Sequence, residues 1–141
     1  MYRLEIELKR GHDLAIRDRG GTSDPYVKFK LGGKEVFRSK TIHKNLNPVW
    51  DEKITLIVES LSEPLYVKVF DYDFGLQDDF MGSAFIYLES LEQQRFVRCF
   101  WYLVGGLLAI GVILTGDAGD MSPAKFIIGS CVPPPTFKKA C

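Results

Sequence analysis

A chain of 141 residues, 46% of them hydrophobic, can bury a core of its own, so neither disulfide staples nor a structural metal is needed to hold one domain together. Its 18 basic and 18 acidic side chains cancel, which removes the global positive field that draws a protein to nucleic acid; any electrostatic function has to come from local segregation of charge. The three cysteines, Cys99, Cys131 and Cys141, follow neither a zinc-site nor a disulfide-framework pattern and fit a reducing, cytosolic setting.

The opening MYRLEIELKR places Leu4, Ile6 and Leu8 on one face and Glu5, Glu7 and Lys9 on the other, which predicts a strand and not a secretory leader. In a second strand Val27, Phe29 and Leu31 alternate with Tyr26, Lys28 and Lys30, and Gly32-Gly33 predicts a hairpin turn into a third strand over Glu35 to Lys40. Ile54, Leu56 and Val58, then Leu65, Val67 and Val69, then Ala84, Ile86 and Leu88 mark three more. Short alternating strands at regular spacing, parted by turn residues, predict an antiparallel β-sandwich. Cys99 to Gly116 is then eighteen residues without a charge, at the lower edge of what spans a bilayer. Gly105-Gly106 splits it into two strand-length pieces rich in β-formers, so a closing pair of strands is expected, with transmembrane anchoring as the alternative. Beyond Thr115 the chain turns to Gly, Asp, Ser and Pro133-Pro134-Pro135, which predicts a domain over 1–115 and a flexible tail over 116–141.

The chemistry concentrates in VFDYDFGLQDDFMG, Val69 to Gly82, where Asp71, Asp73, Asp78 and Asp79 fall within nine positions. Neighbouring carboxylates raise one another's cost of ionising, so such a cluster usually has a cation to hold or a proton to move. Asp71 and Asp73 project to one side of an extended chain, and a turn over Phe74 to Gln77 brings Asp79 back toward them. Oxygen ligands without His or Cys suit Ca²⁺ or Mg²⁺, and a flexible loop suits the larger Ca²⁺. An EF-hand loop starting at Asp71 needs Gly and Glu where Leu76 and Gly82 stand, and fails. An Asp-x-Asp after a strand also admits an aspartyl-phosphate phosphatase, without a phosphate-cradling loop or basic partner to support it, and a solvated acidic turn needs no ligand at all. Asp18 and Asp24 lie in a second, Gly-rich loop after the first strand. In a sandwich both loops can emerge at one end, where these two acids would join the others.

Ser23-Asp24-Pro25-Tyr26-Val27-Lys28, then Leu46-Asn47-Pro48-Val49-Trp50, then Asp71-Tyr72-Asp73 followed by Asp79-Phe80-Met81-Gly82 stand in order along the chain. In these three motifs, their order and their spacing, the chain resembles a C2 domain. The wording is most similar to the first C2 domain of the multiple C2 and transmembrane domain proteins, closely from Tyr2 to about Leu88, and departs from it after Glu92. The resemblance implies an eight-stranded all-β sandwich of the permuted, type II order, with the acidic loop following the first strand. It implies two or three Ca²⁺ ions held by Asp18, Asp24, Asp71, Asp73 and Asp79 with the backbone carbonyls of Arg17 and Tyr72, and leaves Asp78 outside the ligand set.

The implied function is that of a non-catalytic calcium sensor docking on anionic phospholipid, chiefly phosphatidylserine, at the cytosolic face of the endoplasmic reticulum or of vesicles and endosomes. Ca²⁺ would cancel the rim's negative charge, and Phe74 and Leu76 at the loop tip would enter between headgroups. Tyr26, Lys28, Arg38 and Lys40 correspond to positions that line a phosphoinositide site in protein kinase C C2 domains; the plain alternative is a solvated polar sheet face. Two other functions stay open: a Ca²⁺-dependent protein-interaction module with little lipid binding, and a metal-dependent phosphohydrolase. Nucleic acid is not an expected partner.

Overall fold

Alternation of apolar and polar residues can bury only one face of each strand, and the economical solution is two sheets laid face to face. A computed structural model, describing residues 1–16, 20–91, 96–103, 106–115 and 139–140, has this arrangement. The strands are β1 (Tyr2–His12), β2 (Pro25–Leu31), β3 (Lys34–Arg38), β4 (Val49–Val58), β5 (Leu65–Asp71), β6 (Asp79–Ile86), β7 (Phe96–Leu103), β8 (Gly106–Thr115) and β9 (Lys139–Ala140). One sheet runs β4-β1-β8-β7-β9 and the other β3-β2-β5-β6. The first eight are the expected sandwich, to which the two-residue β9 is added at an edge.

The inner faces are those the alternation marks. Leu4, Ile6 and Leu8 of β1 and Leu108, Ile110, Val112 and Leu114 of β8 meet Val27 and Phe29 of β2, Leu65, Val67 and Val69 of β5, and Ala84 and Ile86 of β6 in one buried cluster. Full burial of a side chain such as Phe29 stabilises by about 1.5–3 kcal/mol. Gly32 and Gly33 carry φ of 57° and 79°, so the β2–β3 hairpin turns on two left-handed residues that only glycine adopts without strain.

The uncharged run that begins at Cys99 is a pair of strands. β7 and β8 pair from Phe96↔Ile113 to Leu103↔Gly106, and β8 pairs on its other side with β1. Its apolar side chains are core: Leu108 and Val112 are fully buried. Among the described residues no helix is long and apolar enough to cross a membrane. The expected tail over 116–141 lies outside the described residues, apart from Lys139 and Ala140, which pair with Trp101 and Phe100.

Two boundaries differ from expectation. The β3 ladder ends at Arg38, not Lys40, because the Ser39 hydroxyl accepts the Val27 N–H at 2.8 Å while the Ser39 N–H donates to the Val27 carbonyl. Lys40 is thereby turned toward β4: its N–H donates to Glu52 Oε2 and its carbonyl accepts the Trp50 indole N–H, each at 3.0 Å. Leu88 opens a single turn of 3-10 helix, Leu88–Leu91, and does not extend β6; burial of Leu88 and Leu91 on the same side of that turn repeats at the 3-10 spacing.

Two glycines of β8 make opposite demands. A Cβ at Gly106 would stand 2.7 Å from the Asp13 carbonyl oxygen and 2.8 Å from Leu14 Cα, whereas one at Gly111 would meet Glu7 Cβ at an ordinary 3.6 Å. Gly106→Ala is expected to lower stability in urea unfolding by about 1–3 kcal/mol. Gly111→Ala is expected to leave it unchanged or raise it by about 0.5 kcal/mol, since glycine weakens a strand interior; equal losses at both positions would contradict the close approach at Gly106.

Candidate functional site

The Ser23-Asp24-Pro25 segment is held by groups reaching it from three directions. The Ser23 side chain is buried and its hydroxyl donates to the Ala15 carbonyl at 2.7 Å. Asp24 N–H donates to Asp71 Oδ1 at 2.7 Å, and the Asp24 carbonyl accepts the Tyr72 N–H at 2.9 Å. Asp24 Oδ1 accepts the Lys44 N–H at 2.6 Å, with His43 Nδ1 at 3.8 Å. The Asn45 N–H donates to the Ser23 carbonyl and the Ile42 N–H to the Pro25 carbonyl, so residues 42–45 wall this side of the loop.

β5 and β6 deliver the remaining acids. Their register shifts between Val69 and Phe70, where Val69 faces Gly82 but Phe70 faces Phe80, leaving Met81 as the extra residue. Side chains alternate at period two, so this one-residue bulge sets Asp79 directly opposite Asp71 on the same face. Asp71 is 1% exposed at the strand end, whereas Asp79 is exposed. Between them Gly75, at φ 78°, turns the loop, and the Leu76 N–H reaches back to the Asp73 carbonyl at 3.3 Å. At its tip Phe74 is 88% and Leu76 74% exposed.

Asp78 has both oxygens engaged. Oδ1 accepts the Asp73 N–H at 2.9 Å, and Oδ2 accepts the Tyr26 hydroxyl. The Tyr26 bond, and then the Asp73 N–H, hold the Asp78 carboxyl below the usual carboxylate range. Burial, together with the hydrogen bond to this anion, pushes the Tyr26 hydroxyl above its ordinary value, and the Arg38 charge works against that.

Tyr26 lies on the outer face of β2, as alternation requires, yet is 2% exposed. Its ring stacks on Phe70 at 5.6 Å, and Phe70 meets Phe80 edge-on at 5.9 Å. Lys28 Nζ stands 4.9 Å from the Phe70 centroid and Arg38 Cζ 5.1 Å from that of Tyr26, within cation–π reach. Glu35 Oε1 lies 3.7 Å from Lys28 Nζ and 3.6 Å from Arg38 Nε. Lys40, expected beside them, makes its described hydrogen bonds through its backbone, to Glu52 and Trp50 of β4.

Asp24, Asp71, Tyr72, Asp73 and Asp79 are thus brought to one end of the sandwich by the Asp24–Asp71 tie and the β6 bulge. Among the described residues no three His, Cys, Asp or Glu side chains are grouped closely enough to hold a metal ion. Asp18 and the Arg17 carbonyl, the other expected ligands, lie outside the described residues. The donor chemistry fits a hard cation, since the acids at this end of the sandwich offer oxygen ligands alone, one of them buried. Sequence reasoning set Asp78 aside, but its two hydrogen bonds join the acidic loop to the basic face. It also passed over Phe70, whose outward phase follows from Val69 pointing inward.

The family model of the C2 domain matches residues 2–104. Multiple C2 and transmembrane domain-containing protein 1 of Homo sapiens is 61% identical over 128 residues, covering 85% of this chain and 13% of its own length. The Drosophila melanogaster multiple C2 and transmembrane domain-containing protein is 56% identical over 91 residues, 64% of this chain and 10% of its own length. The chain therefore spans 13% or less of these two curated relatives. Among solved structures, calcium-bound extended-synaptotagmin 2, in a form comprising a pair of its C2 domains, aligns at a TM-score of 0.71 and 30% identity, over 79% of this chain and 45% of that one. The family match to residue 104 takes in β7, in line with the expectation that the chain past Glu92 supplies the closing strands of the sandwich although its wording departs there from the multiple C2 and transmembrane domain proteins. The chain belongs to the C2 domain family.

Proposed function

We propose that this chain is a non-catalytic Ca²⁺-binding module that docks on anionic phospholipid, with 1–115 as the functional domain and 116–141 as a tail. The observation that carries the reading is the bond from Asp24 N–H to the buried Asp71 carboxylate, because it draws the first acidic loop onto the strand end where Asp73 and Asp79 emerge. The matching extended-synaptotagmin 2 structure is calcium-bound, which lends support by family likeness.

Asp24, Asp71, Asp73 and Asp79, with Asp18 and the Arg17 and Tyr72 carbonyls, would hold two or three Ca²⁺ ions. Bound there, Ca²⁺ supplies the positive charge that makes an acidic rim attractive to phosphatidylserine. Asp71, buried and fixed by the Asp24 amide, sets the position of the site, while the more exposed Asp73 and Asp79 adapt at its mouth. Phe74 and Leu76 offer apolar area at the same loop tip. Lys28, Arg38 and Lys40, with Tyr26, add a second, phosphoinositide-facing contact, each juxtamembrane cation being worth about 1 kcal/mol toward an anionic leaflet. The membrane is the cytosolic face of the endoplasmic reticulum or of vesicles and endosomes.

Titration calorimetry is expected to show Ca²⁺ heat for the wild type and none for Asp71→Asn/Asp73→Asn; no heat in the wild type would sink the proposal. Sedimentation with phosphatidylserine vesicles is expected to show capture in Ca²⁺ and release in chelator. Ca²⁺ heat without capture would instead favour a protein-interaction module.

Phe74→Ser/Leu76→Ser is expected to weaken vesicle capture about tenfold, since part of two large apolar side chains would no longer leave water, with the Ca²⁺ heat unchanged. Undiminished capture would remove the loop tip from the docking mechanism.

A further inference from the structure

The outer face of β2 and β3 presents cations and a tyrosine hydroxyl together, and the protein already supplies an anion to them. Asp78 Oδ2 accepts the Tyr26 hydroxyl, on a ring that carries Arg38 Cζ at 5.1 Å and Lys28 Nζ at 5.9 Å from its centroid. The two cations act on Asp78 through their charge and not as hydrogen-bond donors, and a phosphate oxygen would be drawn by the same hydroxyl and the same two charges. Tyr26 is only 2% exposed, so its hydroxyl is committed to Asp78 and closed to an incoming ligand. Glu35 differs: it touches the two cations from β3, at 3.6–3.7 Å and with its side chain 42% exposed, and reaches the tyrosine only through its charge.

We propose that Asp78 is an internal occupant of the phosphate contact formed by Tyr26, Lys28 and Arg38, and so restrains binding of phosphate-bearing ligands at this face. The inference rests on reading the basic face as a phosphate contact, as under Proposed function. It adds a residue of opposite charge that limits the contact, and a route by which the acidic loop governs it. The other oxygen of Asp78 is held by the Asp73 N–H, so the restraining carboxylate is fastened to the loop that carries Asp73 and Asp79. Rearrangement of that loop moves the anion relative to the tyrosine and the cations, and by linkage an anion bound there acts back on the loop.

The test is made in chelator, where the restraint acts without the Ca²⁺ contact. Wild type, Asp78→Asn and Tyr26→Phe are titrated with phosphatidylcholine vesicles containing a minor share of phosphoinositide, with soluble inositol trisphosphate, and with inorganic phosphate. Asparagine keeps an oxygen for the Asp73 N–H, removes the charge and replaces the acceptor facing the Tyr26 hydroxyl with an amide NH2; Asp78→Gln serves as a second charge-free variant if the loop is disturbed. Asp78→Asn is expected to bind phosphoinositide vesicles and inositol trisphosphate about fivefold tighter than wild type, the scale of one juxtamembrane charge, and Tyr26→Phe, which retains the carboxylate, is expected to show no gain. A matching gain on inorganic phosphate assigns the contact to free phosphate; a gain confined to the inositol ligands assigns it to the headgroup. No gain in either charge-free variant, or an equal gain in Tyr26→Phe, overturns the proposal. Lys28→Gln/Arg38→Gln separates the two levels. If that pair leaves vesicle capture intact, the basic-face reading itself fails; if it weakens capture while Asp78→Asn does not strengthen it, only the Asp78 assignment falls.

Discussion

The hydrogen bond from the Asp24 amide to the buried Asp71 carboxylate is the constraint around which one end of the molecule is organised. A carboxylate taken out of water has to be met by donors or lose its charge, and the nearest available donor belongs to a loop 47 residues away in sequence. Meeting that need draws Asp24 onto β5, while the Tyr72 N–H returns a bond to the Asp24 carbonyl and closes the pair. Everything else at the rim is placed relative to this tie. Ser23 anchors to Ala15, residues 42–45 lie along the segment, and β6 brings Asp79 opposite Asp71 through a single bulge.

Charge is segregated by element and not by net excess. The aspartates of the rim sit at strand ends and in loops, whereas glutamates such as Glu7 and Glu35 lie on strands beside basic partners. Lys28 and Arg38 sit on an outer sheet face, where aromatic rings carry their stems and the heads stay partly wet. Asp78 crosses this division, its two oxygens answering to a donor from each side.

Most of the sandwich was legible in the sequence because a period of two, with one face buried, leaves little freedom: the alternating residues of β1 and β5, and Val27 and Phe29 of β2, are buried. The hairpin at Gly32-Gly33 was legible because few residues tolerate two successive positive φ values. What could not be read off depends on partners distant in the chain. The end of β3 is decided by the Ser39 hydroxyl meeting Val27, and the direction of Lys40 by Glu52 and Trp50. The acids were conspicuous as residue types, but their convergence needed the Asp24–Asp71 bond and the β6 bulge, neither of which leaves a local signature. Tyr26 was legible as outward-facing and illegible as covered, since its cover comes from Phe70 on the neighbouring strand and Asp78 beyond the loop.

The loop tip has a consequence for the protein in solution as well as at a surface. Phe74 and Leu76 are among the most exposed large apolar side chains described, and such a tip invites adhesion between copies. It is flanked in sequence by Asp73, Asp78 and Asp79. These acids act as gatekeepers: two tips approaching one another bring like charges together before their apolar side chains can touch. On the proposed Ca²⁺ reading, the charge that would hold a cation also keeps the molecules apart, so colloidal stability and cation occupancy would rest on a common set of residues. With that charge neutralised, the tip would be adhesive toward the nearest apolar surface, whether lipid or another copy of the chain.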